Sequence, residues 1–340
     1  MAETLEQATS CTFIDLSSNF HTDQFAKDVL TGLTAQKKHL PVKYLYDHIG
    51  SSLFEKITQD EHYYLTRAEE AILNQFSPQI VQTLTENTAL VELGCGSAMK
   101  TRKIIEALLA KNGSSLFVPI DISGDFLIEN AKKLYADYPD LNILGIVADY
   151  HIGLEELVKQ VRQPKLVLWL GSDIAHIDYI QTAELLRNNI IPLLNQGDKL
   201  LLGIDLKKSA HALHMAYGCV KQTCRIHQIF TRNLLHRINR ELVGNFKVKS
   251  FQRHCFYCEE KGCVVIYLEC METQTVTIKK LGLKLNFVLG DRIQIHNTYK
   301  YNNQDIQRLA VASGLQLEQQ WFDPKKLFSV NLFVKKGVHA

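Results

Sequence analysis

The 340 residues carry 38 Lys and Arg against 36 Asp and Glu, a net charge of +2, and the basic residues are dispersed. That balance leaves no electrostatic footprint for a nucleic acid or an anionic membrane. At 46% apolar the chain buries a full core as one large or two moderate domains, and no stretch approaches the roughly 20 apolar residues that span a bilayer. The expectation is cytoplasmic small-molecule chemistry, with no membrane or nucleic-acid partner and a monomeric chain.

In chain order, the first twenty residues are polar and aperiodic and read as loose. The first strong signal is an apolar strand over 89–94 that runs into Gly94-Cys-Gly96 and a helix over 99–110. The two glycines let a ligand approach the backbone, but Met99 stands where a dinucleotide fingerprint has its third glycine. The turn therefore points away from a pyrophosphate and toward a cofactor without phosphates, S-adenosylmethionine. A second strand over 115–121 ends in Asp121, placed to grip two ribose hydroxyls. A third over 142–147 is followed by Asp149 and Tyr150, which suit an adenine amino group and ring. The bland alternative, that each aspartate merely caps the helix after its strand, is the lesser reading once the three motifs are taken together.

Strands over 165–170 and 198–204 complete five βα units, the pattern of a parallel sheet covered by helices. Helices over 210–220 and 231–242 follow, then strands over 250–258, 262–271 and 274–280, too long a stretch for a loop and read as an insertion. Cys255, Cys258 and Cys263 with His254 imitate zinc spacing, but strand alternation turns Cys255 and Cys258 to opposite faces, so no metal site is expected. The thiols read as reduced, and His211 and His214 as surface residues. A helix over 303–313 and strands over 315–322 and 327–334 form a closing antiparallel pair.

Two further runs are Tyr46-Asp-His-Ile-Gly-Ser-Ser-Leu-Phe-Glu-Lys-Ile-Thr58 and Tyr63-Tyr-Leu-Thr-Arg67. With Lys100-Thr-Arg102, Leu170-Gly-Ser172, Leu202-Gly-Ile-Asp-Leu206, Arg232-Asn233, Asn239-Arg-Glu-Leu242, Tyr299-Lys-Tyr301 and Leu327-Phe-Ser-Val330, they make the chain resemble, over about 41–331, the histidine Nα-methyltransferases of ergothioneine biosynthesis. The resemblance implies an α/β fold: a Rossmann-like class I methyltransferase sheet over 69–206 and 297–340 with an antiparallel C-terminal pair. It also implies an α+β capping domain over 20–68 and 207–296, beyond a loose tail over 1–19.

It further implies methyl transfer from S-adenosylmethionine to an α-amino group, with Glu92, Gly94, Gly96, Lys100, Asp121, Asp149 and Tyr150 on the cofactor. Tyr46 and Tyr63 would be catalytic, and with Gly171, His176, Tyr217, His296 and Thr298 they would line the acceptor pocket. Departures fall on the acceptor side. Ala175-His176 replaces the family's Gly-Asn, whose asparagine orients the amino-acid head group, and His296-Asn-Thr298 replaces the Glu-x-Ser that binds the imidazole. After Tyr217, Gly218-Cys-Val-Lys221 stands in place of an acidic turn. Three readings follow: an amino acid or small amine other than histidine, histidine itself, or a cofactor-binding relative without transfer activity.

Overall fold

The computed structural model describes residues 10–16, 21–220 and 223–336. The chain opens with β1 (Cys11–Asp15), α1 (His21–Thr34), α2 (His48–Thr58) and α3 (Tyr64–Gln82). The alternating unit follows as β2 (Ala89–Leu93), α4 (Arg102–Asn112), β3 (Ser115–Asp121), α5 (Gly124–Asp137), β4 (Leu141–Val147), α6 (Tyr150–Gln160), β5 (Lys165–Trp169), α7 (Tyr179–Leu185) and β6 (Lys199–Asp205). Next come α8 (Ala210–Ala216), α9 (Cys224–Glu241), β7 (Phe251–Cys258), β8 (Cys263–Cys270), β9 (Gln274–Ile278), β10 (Leu283–Phe287) and β11 (Arg292–Tyr299). The chain closes with α10 (Asn303–Ser313), β12 (Leu315–Phe322) and β13 (Phe328–Lys335).

One sheet runs in the order β1-β4-β3-β2-β5-β6-β13-β12, parallel from β1 to β6 and antiparallel across β13 and β12. The α/β class, parallel core and antiparallel C-terminal pair are those expected. β2 is buried on both faces because alternate residues pack into different cores, Leu90 into one and Ala89, Val91 and Leu93 into the other. Strand order reverses between β2 and β5, so the loops leaving their carboxyl ends flank a crevice where such folds bind ligands.

A second, antiparallel sheet, β11-β8-β7, and the hairpin β9-β10 lie outside the main sheet. Asp47 ties the N-terminal segment to this layer. It caps α2 by accepting from the Gly50 amide at 2.7 Å, accepts from Asn233 Nδ2 at 2.7 Å, and pairs with Arg240. A side chain at Gly50 would strike the Leu45 carbonyl at 1.6 Å, which explains the glycine in that motif.

Several expectations need correction. The tail read as loose contains β1, which pairs with β4 through main-chain hydrogen bonds that a polar sequence does not forbid; the rest of 1–9 and 17–19 lies outside the described residues. The boundary at 68/69 falls inside α3, and that at 296/297 falls inside β11, because α3 packs on the main sheet while β11 is held by its ladder to β8. Helix 231–242 starts earlier, at Cys224, and β10 and β11 had no counterpart among the expected strands. Cys219 and Cys255, read as thiols, are bonded to each other with Cα atoms 5.1 Å apart, because α8 ends against β7. Among the described residues no cluster of three or more His, Cys, Asp or Glu could hold a metal, and no helix is long and apolar enough to cross a membrane.

Under the sheet, buried Lys165 pairs with buried Asp198 at 2.9 Å, and Asp198 also accepts from the amides of Lys165 and Asn195, each at 2.8 Å. Asp198→Ala leaves that ammonium buried and unpaired, so thermal or denaturant unfolding should register a loss of about 3–5 kcal/mol. The double variant Lys165→Met/Asp198→Leu should recover most of it.

Candidate active site

The crevice at the strand-order reversal opens into a cavity of about 750 Å³. Every residue assigned to the cofactor or acceptor site from the sequence lines it: Tyr46, Tyr63, Glu92, Gly94, Gly96, Lys100, Asp121, Asp149, Tyr150, Gly171, His176, Tyr217, His296 and Thr298. They come from the approaches to α2 and α3, the carboxyl ends of four parallel strands, the end of α8, and β11.

At the glycine-loop end, Gly94 and Gly96 have φ of +67° and +52°. A side chain at Gly94 would meet the Tyr150 hydroxyl at 2.6 Å, whereas the space beside Gly96 is open. Asp121 crosses from β3 to accept from the Gly96 amide at 3.0 Å and the Ser123 amide at 2.9 Å. Burial raises its pKa, and those amides offset part of the rise. Asp149 caps α6, accepting from the Ile152 amide at 3.2 Å. The Tyr150 hydroxyl donates to Asp173 at 2.6 Å, and its ring stands edge-on to Trp169. Trp169 Nε1 donates to the same carboxylate at 2.9 Å.

Glu69, fully buried on α3, accepts from the Gly171 amide at 2.9 and 3.0 Å and pairs with Lys100. The Gly171 amide and the Lys100 ammonium are thus committed to Glu69, although both residues face the cavity. Glu69 sits so close to β6 that a side chain at Gly203 would lie 2.0 Å from its carboxylate. Glu92 accepts from Thr101 at 2.6 Å through one oxygen, and its other oxygen is buried without a partner. Burial pushes its pKa up to about 8, against the pull of Thr101 and Lys100.

The opposite end is built on Asp205. It accepts from Lys300 Nζ at 2.9 Å, Lys208 Nζ at 2.5 Å, the Tyr64 hydroxyl at 2.7 Å and the Tyr217 hydroxyl at 3.3 Å. Burial alone would raise the Asp205 pKa, but the two ammoniums outweigh it and hold the carboxyl below its ordinary range. Burial drives Lys300 down to about 8 despite Asp205. Lys300 also donates to Tyr217 at 2.6 Å and to Thr298 at 2.8 Å, so the Thr298 hydroxyl, expected to face an acceptor, is taken by Lys300.

Between the two ends stands an aromatic wall. Tyr46 meets Phe54 and Phe230 with ring centroids 5.5 Å apart in each case, Phe54 meets Tyr63 at 6.0 Å, and Tyr63 meets Tyr217 at 6.3 Å. Unlike Tyr64, Tyr150 and Tyr217, the hydroxyls of Tyr46 and Tyr63 bond to no described residue. Burial holds both phenols above the ordinary tyrosine range. His176 and His296 meet edge to face at 4.9 Å, each with an unpartnered Nδ1. Burial lowers both pKa values, in His176 against the pull of Asp173.

The profile of the histidine-specific, SAM-dependent methyltransferases matches residues 25–335. The chain belongs to that family. This methyltransferase is 31% identical over 320 residues to the histidine N-alpha-methyltransferase of Mycolicibacterium smegmatis, covering 94% of this chain and 98% of that one. It is 32% identical over 313 residues to that of Mycobacterium tuberculosis, covering 91% and 94%. An L-tryptophan methyltransferase from Psilocybe serbica is 23% identical over 312 residues, covering 84% and 85%.

The methyltransferase depends on S-adenosylmethionine, and the glycine-loop end fits that molecule. The open space at Gly96 admits it, Asp121 keeps acceptor capacity for a diol, and Glu92 leaves one buried carboxyl oxygen without a partner among the described residues. Sequence reasoning missed Glu69, Asp205 and Lys300. The signal for Glu69 was a carboxylate on the apolar face of α3 beside Leu65, Ala68 and Ile72, whereas Asp205 and Lys300 stood unremarked inside the Leu202–Leu206 and Tyr299–Tyr301 motifs. Trp169, Asp173, Phe54, Phe230 and Arg253 show their place only once the chain is folded.

Because folded Glu92 titrates near 8 and an unfolded glutamate near 4.3, the native state holds a proton that the unfolded state releases between those values. That contribution to stability is complete below the lower value and lost as pH rises through the upper. Glu92→Gln should therefore gain stability relative to the parent as pH is raised from about 4.3 to about 8, read by denaturant unfolding without cofactor. Parallel pH profiles of the two proteins would refute the assignment.

Proposed function

We propose that this methyltransferase methylates the α-amino group of an amino acid or related small amine other than histidine. The carrying observation is the His176–His296 pair in the cavity wall: two neutral imidazoles stand there, with no carboxylate at position 296 to receive the N–H of a histidine side chain. The reading that histidine is the acceptor is favoured by the identity to the two mycobacterial enzymes.

S-adenosylmethionine supplies an activated methyl on a sulfonium, so the protein need only hold a neutral amine in line and keep water away. Asp121 would hold the ribose and Asp149 the adenine amino group, with Gly94, Gly96, Lys100, Glu92 and Tyr150 completing that end. The hydroxyls of Tyr46 and Tyr63 have capacity to spare. With pKa values above the ordinary range they remain phenols, orienting the amine by accepting its N–H rather than acting as phenolate bases. Tyr217 and His176 would line the space for the acceptor's carboxylate, and the rings of Tyr46, Phe54, Tyr63 and Phe230 suit a methylated cation. In this reading the layer contributed by 20–68 and 207–296 caps the acceptor.

A mass-spectrometric screen with S-adenosylmethionine against the common amino acids and their decarboxylated amines tests the reading. Mass gain should fall on a compound other than histidine, and gain confined to histidine would overturn it. Asp121→Ala should lose cofactor binding and turnover together; turnover preserved at ordinary cofactor concentration would remove the ribose assignment. His176→Asn/His296→Glu should raise transfer to histidine if these two side chains set specificity.

A further inference from the structure

We infer that the sheet wall of the acceptor cavity receives a side-chain carboxylate, so that the acceptor is an acidic amino acid anchored by Arg253. The inference rests on the reading that this cavity takes an amino acid. The ladders pair Arg253 with Leu268, Cys255 with Ile266, Ile266 with His296, and Val264 with Thr298. Strand alternation therefore sets Arg253, Ile266, His296 and Thr298 on one face of the β11-β8-β7 sheet, and all four line the cavity.

Arg253 is buried and forms no ion pair with any described residue. Its Nε donates to Thr231 at 3.1 Å, and its two terminal nitrogens donate to the carbonyls of Gly218 at 3.1 Å and Tyr217 at 2.8 Å. A guanidinium carries five N–H groups, so these bonds leave two uncommitted. Burial lowers its pKa to about 10, and it stays charged at neutral pH. A buried cation facing a cavity without a counter-charge is costly, and an incoming carboxylate removes that cost through charge-assisted hydrogen bonds.

The surroundings agree. Burial holds His296 and His176 neutral and drives His227 down to about 3, so none of the three competes for the anion as a cation. The partnerless Nδ1 of His296 can donate to a carboxylate in the tautomer that protonates it. A basic side chain would be repelled by Arg253, and a neutral one would leave it unpaired.

The test is a calorimetric titration of the full chain, loaded with S-adenosylhomocysteine, with L-glutamate, L-aspartate, L-glutamine, L-asparagine, L-histidine and L-tryptophan. A parallel transfer assay with S-adenosylmethionine uses the same panel. One of the acids should bind at least about tenfold more tightly than its amide isostere. Arg253→Gln should erase that ratio, and Arg253→Lys should restore part of it. Since Arg253 also braces the end of α8, His296→Glu provides a second probe that leaves its three bonds untouched and should abolish the preference for the acid. Equal binding of acid and amide, or tighter binding of tryptophan or histidine, would overturn the inference while leaving N-methylation standing. A preference for the acid without mass gain on any compound would uphold the anion-binding wall and overturn the proposed methylation of an amino acid.

Discussion

A single buried carboxylate, Asp205, joins the regions of this protein that do chemistry. Its main-chain amide donates to the Ser172 hydroxyl at 3.0 Å, which ties the end of β6 to the loop after β5. Its side chain meets Tyr64 on α3, Lys208 beyond β6, Tyr217 at the end of α8, and Lys300 just past β11. One residue thereby couples the parallel sheet, the N-terminal segment and the second sheet. In a dry interior such a node is stable only when every member is satisfied, and the mutual neutralisation of Asp205, Lys208 and Lys300 achieves that. Glu69 on α3 has a similar role, bracing the glycine loop through Lys100 and the post-β5 loop through the Gly171 amide.

These nodes divide one cavity into two electrostatic regions. Acidic side chains dominate the glycine-loop end, where the Asp121, Asp149 and Asp173 carboxylates and Glu92, its pKa raised by burial, line the cavity. The other end has Arg253 and the imidazoles of His176 and His296, whose pKa values burial lowers, beside the aromatic wall of Tyr46, Phe54, Tyr63 and Phe230. On the proposed reading, a cationic methyl donor and an anionic acceptor would be favoured at opposite ends, which would align them before any specific contact is made.

Several of the sequence motifs turn out to be pieces of one scaffold. The glycine at position 50 is required by the Leu45 carbonyl, and the aspartate at 47 caps α2 while receiving Asn233 and Arg240, residues of two other motifs that lie 186 and 193 positions away. Ser172 is held at φ +60° beside Gly171 at +75°, an uncommon backbone for serine that presents its hydroxyl to Asp205 and the Gly171 amide to Glu69. The glycine loop, Asp121 and Asp149 were legible because each follows an apolar strand, and a strand's carboxyl end is where this architecture opens. β1 was not legible, because its pairing with β4 is a main-chain interaction at a sheet edge that leaves little trace in side-chain pattern.

By itself the amino-acid sequence determined the parallel core, the carboxyl-end loops and the glycine-loop residues that face the cavity, since apolar periodicity and glycine placement are local properties that survive without knowledge of neighbours. Only the tertiary structure decided which of those residues are committed to one another. Lys100 belongs to Glu69, Thr298 to Lys300, Tyr150 to Asp173, and Arg253 faces the cavity without a carboxylate partner among the described residues. The physical reason is that hydrogen bonding and charge compensation are set by distance in space, whereas the partners can lie far apart along the chain, as Tyr64 and Asp205 do at a separation of 141 residues.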